Sequence, residues 1–451
     1  MAVTTAPNLA ADFREYISED LLPITLSCLS LVQLGDKVVL PKGHGVTYNM
    51  TRYHRLPVPY APIAEGVPPV AVPLQISQSS VTLQQWASLV TITDVAMLTI
   101  QHDVLEQARN RLILSARELM ERNAFQAILG FTQVNYVNSR GSRAALTAPD
   151  VLNTEELLRA KVLLETFGAP MFGGVMGPSE EKDAKMGSRG PYTDPMKMPH
   201  YVAIMHPVVE GDLLRNPTVQ WVTGNSDPRW LYNGEFGQWS KIRCISSNMV
   251  PSFTGIAQAT GTGSTSGGTL AAGNYQIIIT GSDNIYQYEK LISQQSANIN
   301  IASGTTGSIS VTVPSTIGYT YSVYISQAGS TAINNLAMSA SGPTQGALQG
   351  MATQIAPGAT ITLTGIGLAK TPPAPPANGV TVYPTWIFGA ESFCTVTLSD
   401  LEVHVIDKAE RVDPANQTIM VSFKYFNGTF IKNNAFAMRL ESTGSTALAF
   451  G

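Results

Sequence analysis

Residues 102–129 contain neither glycine nor proline, in a chain punctuated by both. Leu105, Ala108, Leu112, Ala116, Leu119 and Ala127 recur there at steps of three and four, which lines one face of a helix. Glu106, Arg109, Arg117, Glu121 and Arg122 fall away from that stripe, and Glu118 precedes Arg122 by four, the better orientation for a helical ion pair. The spacing predicts a helix over 93–130, opened by Thr93 or Thr99 and ended at Gly130. The uninterrupted part 102–129 alone spans roughly 40 Å, about the width of a small domain. With strand-like sequence on both sides, it acts as a spine on which the remaining elements are mounted.

The flanks are of two kinds. Residues 8–35 read as a helical arm with Phe13, Ile17, Leu21, Leu22 and Ile24 apolar, interrupted at Pro23 and ended at Gly35. Residues 46–56 and 77–93 then alternate as strands and enclose the Pro-rich stretch 56–73. Repeated proline removes backbone donors and favours extended chain. The expectation is a long hairpin whose thin tip, with Ile63, Val67 and Val70, has no core of its own and leans on a neighbour. Downstream, Asn153 or Thr154 caps a second helix with Leu157, Leu158, Val162 and Leu163 inward. Residues 171–200 show no period and read as a loop. A short strand at 201–206 leads into a Pro-started helix, and 238–246 is the next strand.

At Pro251 the composition changes. From 251 to 378 the only charged residues are Asp283, Glu289, Lys290 and Lys370. Strand-like runs at 275–280, 297–301, 308–313, 319–326 and 360–364, each bounded by small polar residues, give the pattern of an immunoglobulin-like β-sandwich. Gly/Ser/Thr-rich and Pro-rich flanks read as linkers around an inserted domain, so removal of 254–377 is expected to leave the rest competent. The main body resumes with strand runs in 380–396, at 401–406 and through 418–441, where Asn427-Gly428 is either a tight hairpin turn or a bulge in one continuous strand.

Apolar residues are 44% of the chain, enough for a large core, whereas charged residues are only 13% and the net charge is −4. A surface rich in Ser, Thr, Asn and Gln suits contact with protein, and there is no global basic character to hold nucleic acid tightly. Cys28, Cys244 and Cys394 are expected to be buried thiols. The N-terminus lacks a basic region followed by an apolar run, and no stretch is long and apolar enough to span a membrane. Phosphate-loop, zinc-hydrolase and paired-cysteine motifs are missing. The glycine run 261–268 has no lysine and no following helix, the histidines are scattered singly, and the residues give no catalytic, cofactor or metal site. The sequence therefore points to a structural protein and not an enzyme.

The segments LPKGHGVTYNMTRYHRL at 40–56, PIAEGV at 62–67 and WASLVTITD at 86–94 come in a fixed order with YVAIMHP at 201–207, LYNGEFGQWSKIRCISSN at 231–248, VYPTWIFGAESF at 382–393 and IKNNAFAMRLES at 431–442. In this order they resemble the major capsid proteins of tailed phages, in the group typified by podoviruses that carry a large RNA polymerase in the virion. The resemblance covers about 1–250 and 379–442. It implies an α+β tailed-phage capsid fold: an N-terminal arm at 1–41, an extended hairpin loop at 42–92 lying on the adjacent subunit, and the spine helix and peripheral domain at 93–149. A mainly axial domain follows at 150–250, and return strands lie at 379–451. The insert at 251–378 departs from the pattern.

The implied function is self-assembly, as hexamers and pentamers, into an icosahedral head around packaged double-stranded DNA, which is held non-specifically on the inner face. Partners are then copies of the chain, a portal, and separate scaffold or decoration proteins, with no membrane and no cofactor. Its place is the virion capsid, built in the host bacterial cytoplasm. Contacts between subunits are expected at Arg52, Arg55, Tyr60, Ile63, Glu65, Val67 and Val70. Some relatives fuse neighbours through a lysine in the extended loop, but here no lysine occurs between Lys42 and Lys161. The contrasting expectation is a tail or adhesion protein whose β-sandwich binds the host surface.

Overall fold

Strand β1 (Asp36–Val39) precedes an antiparallel hairpin of β2 (Thr47–Tyr53) and β3 (Ile76–Thr82), registered Thr47 against Thr82 and Tyr53 against Ile76. Leu83 interrupts the second run, which continues as β4 (Gln84–Thr93) in a different sheet. Helices α1 (Asp94–Thr99) and α2 (Val104–Ile128) follow, and the Thr93 hydroxyl accepts from the Ala96 N–H at 3.3 Å to open the first. The computed structural model describes residues 29–41, 43, 45–58, 62, 71–99, 103–172, 199–215, 234–340, 342–343, 348–406 and 417–445. Most of the expected arm, most of the hairpin tip and most of the 171–200 loop lie outside these.

After β5 (Val134–Tyr136), helix α3 (Thr154–Thr166) begins where the Asn153 side chain accepts from the Glu156 N–H at 3.0 Å. Then come β6 (Tyr201–Met205), α4 (Pro207–Leu214), β7 (Glu235–Trp239), β8 (Ile242–Ser246) and β9 (Phe253–Ile256). The next strands are β10 (Gly261–Ser264), β11 (Gly273–Tyr275), β12 (Ile277–Asp283), β13 (Glu289–Ser293) and β14 (Ile299–Ile301). They are followed by β15 (Ser308–Thr312), β16 (Tyr319–Ser326), β17 (Ile333–Ser339) and β18 (Thr360–Ala369). The chain closes with β19 (Thr381–Phe388), β20 (Phe393–Ile406), β21 (Thr418–Ile431) and β22 (Ala437–Thr443).

The chain divides into two compact units. Of the described residues, one holds those within Gln85–Ala116 and Ser399–Phe426. In it, Ile92, Leu112, Ala116, Val421, Phe423 and Tyr425 are buried, while Leu89, Val95 and Leu98 are exposed.

The other unit holds the rest. At its centre β19 lies between β22 on one edge and β6 and β9 on the other, with β8 and β7 beyond β6. Strand β6 is buried throughout because the sheet is covered on both faces. Tyr201, Ala203 and Met205 pack with Leu157, Ala160 and Leu164 of α3 and with Val209 and Leu213 of α4. Val202 and Ile204 pack with Ala124, Phe125 and Ile128 of α2.

Strands β10 to β18 follow β9 in the chain. Except for the β11–β14 ribbon, they are hydrogen-bonded in one run, β10-β15-β18-β17-β16-β12-β13-β9, and not in two separate sheets. Residues from both ends of that run, such as Ile309, Leu363, Ile279 and Leu291, share one apolar cluster, so the sheet curls around it. The flanks are not free linkers. β9 pairs with β13 on one side and with β19 on the other, and across the junction the Gly255 N–H donates to the Val380 carbonyl while the Gly255 carbonyl accepts from the Gly379 N–H. A Cβ on Gly255 would lie 2.1 Å from the Ala377 carbonyl, which explains the glycine.

Of the two alternatives for Asn427-Gly428, the structure has the continuous strand: both lie inside β21, and no turn forms there. Glycine is needed instead for close approach, since a Cβ on Gly428 would come within 2.9 Å of Val81 and 3.1 Å of Leu83. Leu158 and Val162 point outward; Leu157, Ala160 and Leu164 take the inner face of α3.

Candidate assembly interface

The base of the hairpin rests on its own chain. Tyr48, Met50 and Val81 pack on Leu40, Leu83, Cys394, Val396 and Phe430, with the Tyr48 and Phe430 rings 6.1 Å apart. Beyond Met50 that support ends. Tyr53, Leu56, Val58, Val72, Leu74 and Ile76 are all exposed. A two-stranded ribbon has no independent stability, and a run of apolar side chains this long is rarely left in water.

Of the expected contact residues, Arg52 and Arg55 are described, and both are exposed. The Arg52 guanidinium donates to the Lys432 carbonyl of its own chain, so it anchors the hairpin internally instead of standing free for a neighbour. Lys432 in turn donates to Asp36 at 2.6 Å. Burial opposes its charge, but Asp36 and Glu391 hold the ammonium above the ordinary lysine range. Tyr60, Ile63, Glu65, Val67 and Val70 lie outside the described residues.

The chain emerging from the N-terminal segment is fixed at a point the apolar stripe did not show. Glu121 is 1% exposed, and its carboxylate accepts from the backbone N–H groups of Ser30, Leu31 and Val32 at 2.8, 2.5 and 3.0 Å. Burial pushes this carboxyl above the ordinary range, and the N–H groups of Leu31, Val32 and Ser30 pull it back. The signal was present in the sequence: extending Leu112 and Ala116 to Ala124, Phe125 and Ile128 carries the inner face past position 121.

Tyr288, from the loop between β12 and β13, is buried in the same cluster as Leu31, Leu34, Ala124, Phe125 and Ile128, with Tyr286 packed against it. Asp283 shapes that loop by accepting from the N–H groups of Ile285, Tyr286 and Gln287. On the other side of the junction, buried Glu441 accepts from Arg143 at 2.7 and 2.5 Å, and Arg143 also donates to the Ala374 carbonyl and lies 4.1 Å over the Phe253 ring. Residues 251–378 are therefore joined to the body through its core. The charged residues of that segment pair with each other, Lys290 with Asp283 at 2.8 Å and Lys370 with Glu289 at 2.7 Å.

Between β5 and α3 lies a groove of about 680 Å³ with Val134, Tyr136, Leu158, Val162 and Leu163 in its lining. Beside it Asp150 accepts from Asn138, from Arg140 and from the Thr147 amide and hydroxyl. Burial would raise its carboxyl, but these donors hold it well below the usual carboxylate range. Cys244 and Cys394 are buried free thiols, and burial raises both. Among the described residues no His, Cys, Asp and Glu group has a metal-binding arrangement.

No protein-family model and no curated protein matches the chain. Among solved structures, the capsid of Ralstonia phage GP4 is similar over 98% of this chain and 98% of that one, with a TM-score of 0.51 at 11% identity. The cyanophage Pam1 capsid asymmetric unit is similar over 99% of this chain and 100% of that one, with a TM-score of 0.51 at 10% identity. Identity at this level carries the fold alone, and coverage extends over nearly the whole of each chain, the 251–378 segment included. The polypeptide thus has the fold of phage capsid proteins.

Proposed function

We propose that this chain is the major subunit of a phage head, a structural protein that acts by assembly and not by catalysis. Copies join as hexamers and pentamers into an icosahedral shell around packaged double-stranded DNA, and the chain resides in the virion. The observation that carries this reading is the extended hairpin beyond Met50, whose apolar side chains Tyr53, Leu56, Val58, Val72, Leu74 and Ile76 are left exposed by their own chain. Modest contacts suffice in a shell, because each subunit makes several at once. The net charge of −4 suits an inner surface that holds DNA weakly and non-specifically. Portal, scaffold and decoration proteins are the expected partners.

The segment 251–378 serves as an accessory, nearly uncharged domain built on one curled sheet. Its ties to α2 and β19 make it a brace for the body as well as a projection. The test is electron microscopy of the purified chain, alone and with its head-assembly partners. Closed shells or hexamers are expected. A solitary monomer at high concentration overturns the reading, and trimers or fibres would turn it toward a tail or adhesion subunit.

A further inference from the structure

The groove between β5 and α3 has an open backbone edge along one wall. Among the described residues, β5 pairs in parallel with β22 and with no other strand, and the Gln133 carbonyl accepts from the Arg439 N–H on that side. By alternation along the strand, the amide and carbonyl groups of Val134 and Tyr136 face away from β22, along the groove. The opposite wall is α3, where Leu158 and Val162 are 43% and 51% exposed. A free strand edge beside an apolar face receives an extended segment by adding it as a further strand.

Charge around the groove is layered. Arg140 and Arg159 line it, with side chains 40% and 57% exposed. The carboxylates they pair with, Asp150 and Glu156, lie beneath them at 2% and 8%. Each pair leaves guanidinium donors over: among the described residues, Arg140 Nη1 and Arg159 Nη2 have no hydrogen bond. Glu156 is the only acid in the lining. The outermost charge is therefore positive, on groups whose planar fork suits a carboxylate. The chain's own exposed apolar stretch at 53–58 contains Arg55 and would set like charge against these two arginines.

We propose that this groove binds an extended, acidic peptide segment of a separate head protein. The segment adds to β5 as a strand, with alternate apolar side chains on Leu158 and Val162 and carboxylates on Arg140 and Arg159. The spacings agree: residues i and i+2 of an extended chain lie about 6.7 Å apart, and residues i and i+4 of a helix about 6 Å. The proposal rests on the shell reading for the partner's place, and adds to it the partner's chemistry and its docking surface.

The probe is a fluorescein-labelled octapeptide of alternating Val and Glu, titrated by anisotropy against the full chain, both free and in assembled particles. Saturable binding to both is expected. Replacing Glu by Gln in the peptide, or Arg159→Ala in the chain, should weaken it about tenfold, the scale of one lost charged hydrogen bond. Leu158→Asp should abolish it. Both changes are at exposed positions, and an unchanged melting temperature confirms folding. N-methylation of one alternate set of peptide amides should abolish binding and that of the other set should not, because only one set faces β5. Equal binding of the Glu and Gln peptides, or indifference to N-methylation, overturns the proposal. Binding to the free chain that disappears in particles also overturns it, since a neighbouring copy then fills the groove. No binding to either form overturns the docking and leaves the shell standing. Failure of the native chain to assemble removes the shell reading itself, whatever the peptide does.

Discussion

Glu121 holds three consecutive backbone N–H groups at the point where the N-terminal segment meets α2. Removing the carboxylate leaves those donors buried without a partner, each worth about 1–3 kcal/mol. Glu121→Ala is expected to lower stability by roughly 3 kcal/mol in urea unfolding, far more than Glu118→Ala on the same helix. Asp150 gives a pH signature. Its folded pKa lies below the 3.8 of a free aspartate, so its stabilisation is complete above that value and is lost as pH falls beneath it. Asp150→Asn is expected to cost about 2 kcal/mol at pH 7. Denaturation midpoints of native and variant should converge in acid, and a gap that stays constant down to pH 2 would rule the linkage out.

At the scale of elements, the junction around β9 decides how the 251–378 segment behaves. The linker composition suggests that it can be removed, but Tyr288 fills the body cluster, and β9 pairs with β19. Tyr288→Ala is expected to cost about 3–5 kcal/mol although the residue is remote from the body in sequence. Gly255→Ala would drive a methyl group into the Ala377 carbonyl, and rigid backbone cannot yield as a side-chain tip does. A loss of about 2–3 kcal/mol is expected. Deletion of 254–377 should therefore give a chain that melts early or fails to fold, measured by circular dichroism on soluble protein. A deletion variant with native stability would show the junction to be dispensable.

At the scale of the whole molecule, the exposed apolar hairpin and the missing lysine act together. In the assembly proposed above the hairpin would supply contact area, and the lack of a lysine between Lys42 and Lys161 predicts that neighbours stay non-covalent. Mature particles boiled in reducing detergent are expected to run as a single monomer band, and a ladder of multimers would contradict this.

The sequence by itself determined the features that repeat locally. The long helical pattern, the hairpin strands, the Asn153 cap and the low charge of 251–378 all follow from spacing, turn chemistry and composition, which act within a few residues. What only the tertiary structure decided depends on residues far apart in the chain. Glu121 is buried because a turn ninety residues earlier brings it backbone donors. Gly428 serves close packing because β21 runs past Val81 and Leu83. Leu158 and Val162 stay outside because Leu157 and Ala160 already face the sheet. Periodicity states that a helix has an apolar side; it does not state which of two adjacent apolar faces the rest of the chain will cover, since that is settled by packing between distant segments.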